Sequence, residues 1–337
     1  MKKTISYIII IIFISLIISG CAGFSILTKN IGRTISTPPE KVKFKISKPV
    51  KDNIKLSALW IGHSSVLLQI YDKVILFDPF FENSLVGVFT RIKEAGLDRE
   101  SISKLDYIFI SHSHIDHLHF NSIGYFESKF PKTHLIYPEG TEYYLPDFDF
   151  PQTRIKISKA LSNYFIGDSQ TIDGIKITPV YALHTGGRYA LDTYLWKVQG
   201  HIGYIIEYKE VCIYYAGDTG YHPEAFKVIG KNFKINLAFI PLGPCRDCDG
   251  KGFKYHTSSI EGLDLMKDVN AEFMLPIHYG AIEYFRDANF PLESMKTILQ
   301  REDYTGLKNK IIILNEGNQI VFENNLSEYR LVSGENQ

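Results

Sequence analysis

A chain of 337 residues that is 45% hydrophobic and 13% aromatic can bury a substantial core in one large or two ordinary domains. Lysine plus arginine and aspartate plus glutamate both number 37, so the formal net charge is zero. That balance excludes a protein that coats nucleic acid, which needs a basic face to neutralise phosphates.

Met1-Lys2-Lys3 is a short basic start, Tyr7 to Ile18 is a nearly unbroken apolar run, and Ser19-Gly20 leads into Cys21. This is the pattern of a secretory signal, and the run is short for a membrane span of about 20 residues. Ile18-Ser19-Gly20-Cys21 resembles the bacterial lipobox, which implies a signal peptide over 1–20 and lipidation of Cys21. An uncleaved anchor helix is the alternative. Either way the folded part is expected outside the cytoplasm, as an exported, membrane-anchored lipoprotein of the cell envelope. Residues 21–55, with Pro38-Pro39 and several lysines, read as a tether.

From Leu56 the pattern is regular. Leu56 to Ile70 and Lys73 to Asp78 read as strands joined by a turn at Tyr71-Asp72. Tyr107 to Ile110 is a short apolar strand that runs into a histidine cluster. His134 to Tyr137, Ile155 to Ile157 and Ile175 to Ala182 are further strands. Gly203 to Tyr208 and Val211 to Ala216 form a hairpin over Lys209-Glu210, with Cys212 as a core residue. Leu237 to Pro241 and Glu272 to Ile277 follow. Ser259 to Asp268 and Leu292 to Gln300 read as helices, the first capped by Ser258 or Ser259 with Glu261 in its first turn. Strands mixed with helices throughout indicate an α/β or α+β chain. A single catalytic domain over 56–326 and a tail over 327–337 are expected. Cys245-Arg246-Asp247-Cys248 is a lone CxxC, a weak zinc signal on its own, open to a local disulfide, a redox pair or unpaired thiols.

His112, His114, Asp116 and His117 lie within six residues, directly after the strand at Tyr107. Were the strand to continue, His112 and His114 would share one face, and a tight turn would bring Asp116 and His117 round. Neutral imidazole and carboxylate are ligands for zinc-like metals. His184, Asp218 in Ala216-Gly217-Asp218-Thr219-Gly220 and His278 in Ile277-His278-Tyr279-Gly280 each end an apolar strand. Sites in layered α/β folds gather beyond strand ends, so these positions can meet the cluster. His119, His134, His201 and His222 carry no motif.

HxHxDH followed by a His, an AGDTG Asp and an IH-aromatic-G His resembles the metallo-β-lactamase superfamily. The resemblance implies a four-layer αβ/βα sandwich with two divalent metal ions, zinc expected, at one edge. By it His112, His114 and His184 hold one ion, Asp116, His117 and His278 hold the other, and Asp218 bridges them. Leu59-Trp60-Ile61-Gly62-His63-Ser64-Ser65, Phe77-Asp78-Pro79 and Ile110-Ser111-His112 are similar to a narrower branch. That branch contains N-acyl-phosphatidylethanolamine-hydrolysing phospholipase D and the ascorbate-6-phosphate lactonase type. His184 with Arg188, Asp192 and Leu195-Trp196, the Ala216 to Tyr221 segment, and His256 ahead of a helix resemble its phospholipase side. Thr185 and Tyr279 stand where that side usually has Trp, and Cys245 to Lys254 is particular to this chain.

The expected chemistry is hydrolysis by a water activated between two cations, with Asp116 and Asp218 in the catalytic centre. Asp78 and His63 are candidates for partners that fix ligand tautomers, or ordinary turn residues. His256 is a general acid or oxyanion contact, or an exposed loop histidine. Arg188 is a phosphate clamp, or the salt-bridge partner of Asp192. The favoured substrate is a phosphodiester, in particular a phospholipid. A lactone, ester or amide (β-lactams included) is the second reading, and a metal-containing binding lipoprotein without turnover the third.

Overall fold

The computed structural model describes residues 28, 30–34, 36–188, 192, 200–284 and 286–336. The apolar run, Cys21 and Leu195-Trp196 lie outside them. Among the described residues no helix is long and apolar enough to cross a membrane.

The strands in chain order are β1 (Leu56–Gly62), β2 (Ser65–Ile70), β3 (Lys73–Phe77), a short pair β4 (Ser84–Leu85) and β5 (Phe89–Thr90), β6 (Tyr107–Phe109), β7 (His134–Pro138) and β8 (Gln152–Ile155). After them come β9 (Gln170–Ile172), β10 (Ile175–Val180), β11 (Gly203–Tyr208), β12 (Val211–Tyr215), β13 (Leu237–Pro241), β14 (Phe273–Ile277), β15 (Gln319–Phe322) and β16 (Arg330–Val332). The helices are α1 (Phe120–Lys129), α2 (Lys159–Tyr164), α3 (Pro223–Asn232), α4 (Ser259–Val269) and α5 (Phe290–Ile298).

One mixed sheet of eight strands runs β16-β15-β1-β2-β3-β6-β7-β8, and a second of six runs β14-β13-β12-β11-β10-β9. Period-two alternation assigns the faces. Leu56, Ala58 and Trp60 of β1, Phe77 of β3 and Phe109 of β6 turn toward the second sheet. Leu59, Ile61, Leu76 and Ile108 turn the other way, against Ile123 and Phe126 of α1. Across the inner interface Phe77 stacks on Tyr215 at 4.1 Å, and Phe109 meets Tyr204 edge-on at 5.1 Å. The far face of the second sheet is covered by α3, α4 and α5, which contribute Phe226, Ile229, Leu263, Met266, Met295 and Ile298 to the same core. Helices outside two packed sheets make the αβ/βα sandwich expected from the sequence.

The structure corrects several local expectations. The long strand from Leu56 breaks at Gly62 (φ +114°) and His63 (φ +56°), where the chain reverses. A Cβ at Gly62 would lie 2.4 Å from Arg91 Nη2, so only glycine fits. The strand at Tyr107 stops before the histidines. Ser111 N donates to Asp78 Oδ1, and His117 N and Leu118 N fold back to His114 O, which makes a turn. The expected tether over 21–55 is partly drawn onto the domain: Ile46 is fully buried and Lys51 N donates to Gln69 Oε1. The expected tail contributes β16, which pairs with β15. Three helices were not foreseen, the short α2 among them. α1 carries Gly124 mid-helix, and α3 is capped by an imidazole, Ala225 N donating to His222 Nδ1. Ser258 is the cap of α4, with the reciprocal Glu261 contact of a capping box.

Candidate metal centre

Loops following β1, β3, β6, β10, β12 and β14 meet at one edge of the two sheets, and each brings one part of a buried histidine and carboxylate cluster. Among the described residues, four overlapping groups have ligand atoms within 4.8 Å of one another, and two of them share no residue: His112, His114 and His184, and His63, Asp116, His117 and His278. Asp218 lies between them. Its Oδ2 is 3.0 Å from His278 Nε2, 3.3 Å from His117 Nε2 and 3.9 Å from His184 Nε2.

The outer partners decide which ring nitrogen faces inward. An ionised carboxylate and a carbonyl only accept, so each must receive a proton from the ring. His117 Nδ1 donates to Asp78 Oδ2 at 2.7 Å, His184 Nδ1 to Tyr255 O at 2.8 Å, and His278 Nδ1 to Gly243 O at 3.0 Å. Ser111 Oγ spends its proton on Asp78 at 2.6 Å, so His112 Nδ1 donates to Ser111 Oγ at 2.9 Å. Each of these four rings therefore turns Nε2 toward the centre, where a cation can claim it. His114 turns Nδ1 inward, 2.9 Å from His112 Nε2 and 3.2 Å from His184 Nε2.

Lone pairs so close repel unless a cation lies between them. Nitrogen ligands about 2.0–2.1 Å from zinc stand roughly 3.3 Å apart in a tetrahedron, close to these separations. His117 Nε2, His278 Nε2, Asp218 Oδ1 and His256 Nδ1 are buried and lack hydrogen-bond partners among the described residues. Unpaired buried polar atoms of this kind are costly, and a metal satisfies them. The donor set fits divalent cations of the zinc type.

Electrostatics of the metal-free cluster tell the same story. Burial drives the His112 and His184 rings well below the ordinary histidine range, helped by neighbouring imidazoles. Burial resists a charge on His117 too, yet Asp218, Asp116 and Asp78 outweigh it and hold its pKa well above the usual value. Burial likewise opposes ionisation of Asp218 and Asp116, but the surrounding imidazoles keep both carboxyls well below their usual range.

The remaining sequence candidates occupy distinct places. Asp78 is fully buried and gathers His117, Ser111 and Tyr215. His63 donates from Nε2 to Asp116 Oδ2 at 2.9 Å, and burial lowers its pKa to about 4. His256 lies at the mouth with Nδ1 3.6 Å from Asp218 Oδ2, its pKa likewise lowered to about 4 by burial. Arg188 is buried behind the histidine turn. Its Nη1 donates to Ser113 O and Leu118 O, bracing the HxHxDH turn, and its guanidinium covers Phe120. The Asp192 carboxylate accepts from Arg188 N and from Tyr144 OH.

Sequence reasoning missed Tyr284, whose hydroxyl is 3.4 Å from Asp116 Oδ2. Nothing in the spacing separates it from the other tyrosines. It also assigned nothing to His201, which bridges His112 through the backbone and lies 6.0 Å from the His184 ring. Cys245 and Cys248 form a disulfide in the loop that supplies Gly243 O and Tyr255 O. Cys212 is buried in β12, and burial pushes its thiol up to about 12. A small cleft beside His278 is lined by Pro244, Cys245, Tyr284 and Arg286.

Residues 73–279, more than half of the chain, match the Beta-lactamase superfamily domain. The chain belongs to this superfamily. A mitochondrial N-acyl-phosphatidylethanolamine-hydrolyzing phospholipase D of Saccharomyces cerevisiae is 29% identical over 250 residues, 70% of this chain but only 51% of the yeast protein. The N-acyl-phosphatidylethanolamine-hydrolyzing phospholipase D 1 of Caenorhabditis elegans is 26% identical over 268 residues, 74% of this chain and 71% of that one. Among solved structures, the metallo hydrolase Igni18 of Ignicoccus hospitalis aligns with a TM-score of 0.57 at 20% identity, covering 80% of this chain and 99% of that one. Relatives and structural neighbours of this superfamily member are named metal-dependent hydrolases, and it has their fold and a cluster able to bind metal.

Proposed function

We propose that this superfamily member hydrolyses phosphodiesters of phospholipids in the manner of a phospholipase D, using two bound zinc ions. The observation that carries the hydrolytic reading is Asp218, whose single carboxylate reaches ring nitrogens of both groups. His112, His114 and His184 would hold one cation, Asp116, His117 and His278 the other, and Asp218 both. Bound there, the cations supply Lewis acidity and bring the pKa of water down toward about 7. Asp78 and the Gly243 and Tyr255 carbonyls hold the ligand rings in the tautomer that exposes Nε2. His256, uncharged at neutral pH, offers a ring nitrogen at the mouth, and Tyr284 offers a phenolic proton beside Asp116. Both are suited to a charge developing on substrate oxygen.

Two features favour an anionic lipid. Arg286 lines the cleft beside His278, a cation at the mouth that matches a phosphodiester. The yeast and nematode relatives are named for a phospholipid substrate. In the same proposal, Cys21 carries a lipid anchor and the protein works at a membrane of the cell envelope.

The test is a hydrolysis panel on zinc-loaded protein, spanning glycerophospholipids, N-acylated ethanolamine phospholipids, soluble phosphodiesters, lactones and β-lactams. Release of phosphatidate-type products is expected. Turnover of lactones with none of any phosphodiester would replace the proposal by the lactonase reading. Ligand binding without turnover of any member would point to the non-catalytic one.

A further inference from the structure

The first described residues of the chain are clasped to the rim of the metal centre. Asn30, which is 1% exposed, donates from Nδ2 to Glu283 O, and Arg33 pairs with the Glu283 carboxylate at 3.3 Å. Thr34 Oγ1 donates to Val88 O in the β4–β5 hairpin and accepts from Thr90 Oγ1. Glu283 is the neighbour of Tyr284, which touches Asp116. Beneath the clasp, Leu85 and Phe89 of the hairpin pack with Phe80, Ile282, Tyr284 and Ile115, the apolar residue inside the HxHxDH turn. The hairpin tip and the clasp each leave an aliphatic side chain in solvent, Val86 at 67% exposure and Ile31 at 40%.

We infer that this rim (the Val86 hairpin and segment 30–34) is a bilayer-docking face that presents the metal centre to the membrane. The inference rests on the membrane tether proposed above. Asn30 lies nine residue steps after Cys21, with eight residues between them. Fully extended, they reach at most about 30 Å at roughly 3.3–3.6 Å per residue. A domain of this size is about 50 Å across. A leash that short, leaving the fold beside Glu283, keeps the metal edge near the lipid and the opposite strand ends away from it. Aliphatic side chains held at the near edge can insert, at about 25 cal/mol per Å² of apolar surface removed from water. A lipid substrate then enters the cleft from the bilayer without crossing water.

The test uses the full chain reconstituted into phosphatidylcholine–phosphatidylglycerol vesicles whose acyl chains are or are not brominated. Val86→Trp reports the hairpin tip. Lys132→Trp reports the opposite edge, because Lys132 is exposed and just precedes β7, which runs parallel to β6. Emission of the unsubstituted chain is subtracted, and flotation of the vesicles measures attachment. The expected result is that brominated lipid removes most of the added emission of Val86→Trp and little of that of Lys132→Trp. Flotation with equal quenching of the two, or stronger quenching at Lys132, overturns the docking face and leaves the tether standing. Absence of flotation overturns both. The hydrolysis panel, run separately, decides the chemistry in every case.

Discussion

Replacing Asp78 by Asn changes one atom of a fully buried side chain that accepts four hydrogen bonds: Ser111 N at 2.8 Å, Ser111 Oγ at 2.6 Å, His117 Nδ1 at 2.7 Å and Tyr215 OH at 2.7 Å. Three of the four converge on Oδ2. An amide that keeps its oxygen toward Ser111 N presents an NH2 group to the other three. The NH2 group has two protons for three neighbours: the Ser111 hydroxyl can rotate and accept one, and Tyr215 can turn its proton to Ser64 O. His117 cannot rotate its proton, so it shifts to the other tautomer and protonates Nε2, the atom facing Asp218. Loss of such an outer partner lowers metal affinity by about 10- to 100-fold, or roughly 1.4–2.7 kcal/mol. The metal-free protein also loses charge-assisted hydrogen bonds and falls in stability by about 3 kcal/mol. Affinity is read by zinc competition against a chromogenic chelator, and stability by urea unfolding of chelated protein. Tyr215→Phe serves as the control, because it removes a donor to Asp78 without touching His117. It should cost about 1 kcal/mol of stability and leave affinity unchanged. Wild-type zinc affinity in Asp78→Asn, or an equal loss in Tyr215→Phe, would refute the tautomer argument.

Four further predictions concern the same edge of the molecule. Gly217 has φ +61°, and an added Cβ would lie 2.7 Å from that of Ser111, so Gly217→Ala should cost about 1–3 kcal/mol in calorimetry and weaken metal binding through Asp218. Removing the metal should lower stability by about 4 kcal/mol relative to protein held at a thousandfold excess over Kd, and zinc should restore it. His117 carries a proton in the metal-free protein because its folded pKa is raised. That contribution to stability is present below the ordinary histidine pKa and is lost as pH rises through the folded value. Zinc must displace the proton, so affinity should fall as pH drops, and calorimetry in buffers of different ionisation enthalpy should show proton release. Arg286→Gln should raise KM for an anionic phosphodiester about tenfold with kcat little changed, the worth of one charge-assisted contact of about 1.5 kcal/mol. Unchanged KM would remove Arg286 from substrate recognition.

Much of the centre was legible because its side chains sit where apolar strands end. His184, Asp218 and His278 could be picked out by that punctuation, and the structure brings them to the HxHxDH turn. Asp78, equally placed at a strand end, was legible only as an alternative to a turn residue. Burial, which decides between the two, is a property of the packed fold. The Gly243 and Tyr255 carbonyls were invisible, since every residue has a carbonyl and only tertiary position selects these two. Arg188 stayed open between two roles for a related reason. A guanidinium can clamp a phosphate or cap backbone oxygens, and here the Ser113 and Leu118 carbonyls claim one of its nitrogens. The break at Gly62-His63 was masked because apolar residues continue on both sides of it. In the fold, apolar runs revealed the central strands of both sheets, while β8 was placed three residues late and β9, β15 and β16 were not singled out. α3 and α1 escaped because their starts lack the usual oxygen-bearing caps.

The loop between β13 and α4 is pinned close to both of its ends. Gly243 near its start holds His278, and Tyr255 near its end holds His184, so one connection steadies ligands on both sides of Asp218. Between those anchor points the chain is closed on itself by Cys245 and Cys248. Exchanges at the exposed positions of that stretch, with the buried Cys248 and the Gly252–Glu261 contact kept, would recharge this side of the mouth while the two carbonyls stay where they are. Catalyst and selectivity are thereby separable along a single segment. Varying those exposed positions between Gly243 and Tyr255 offers a route to redirect such an enzyme without rebuilding its metal centre.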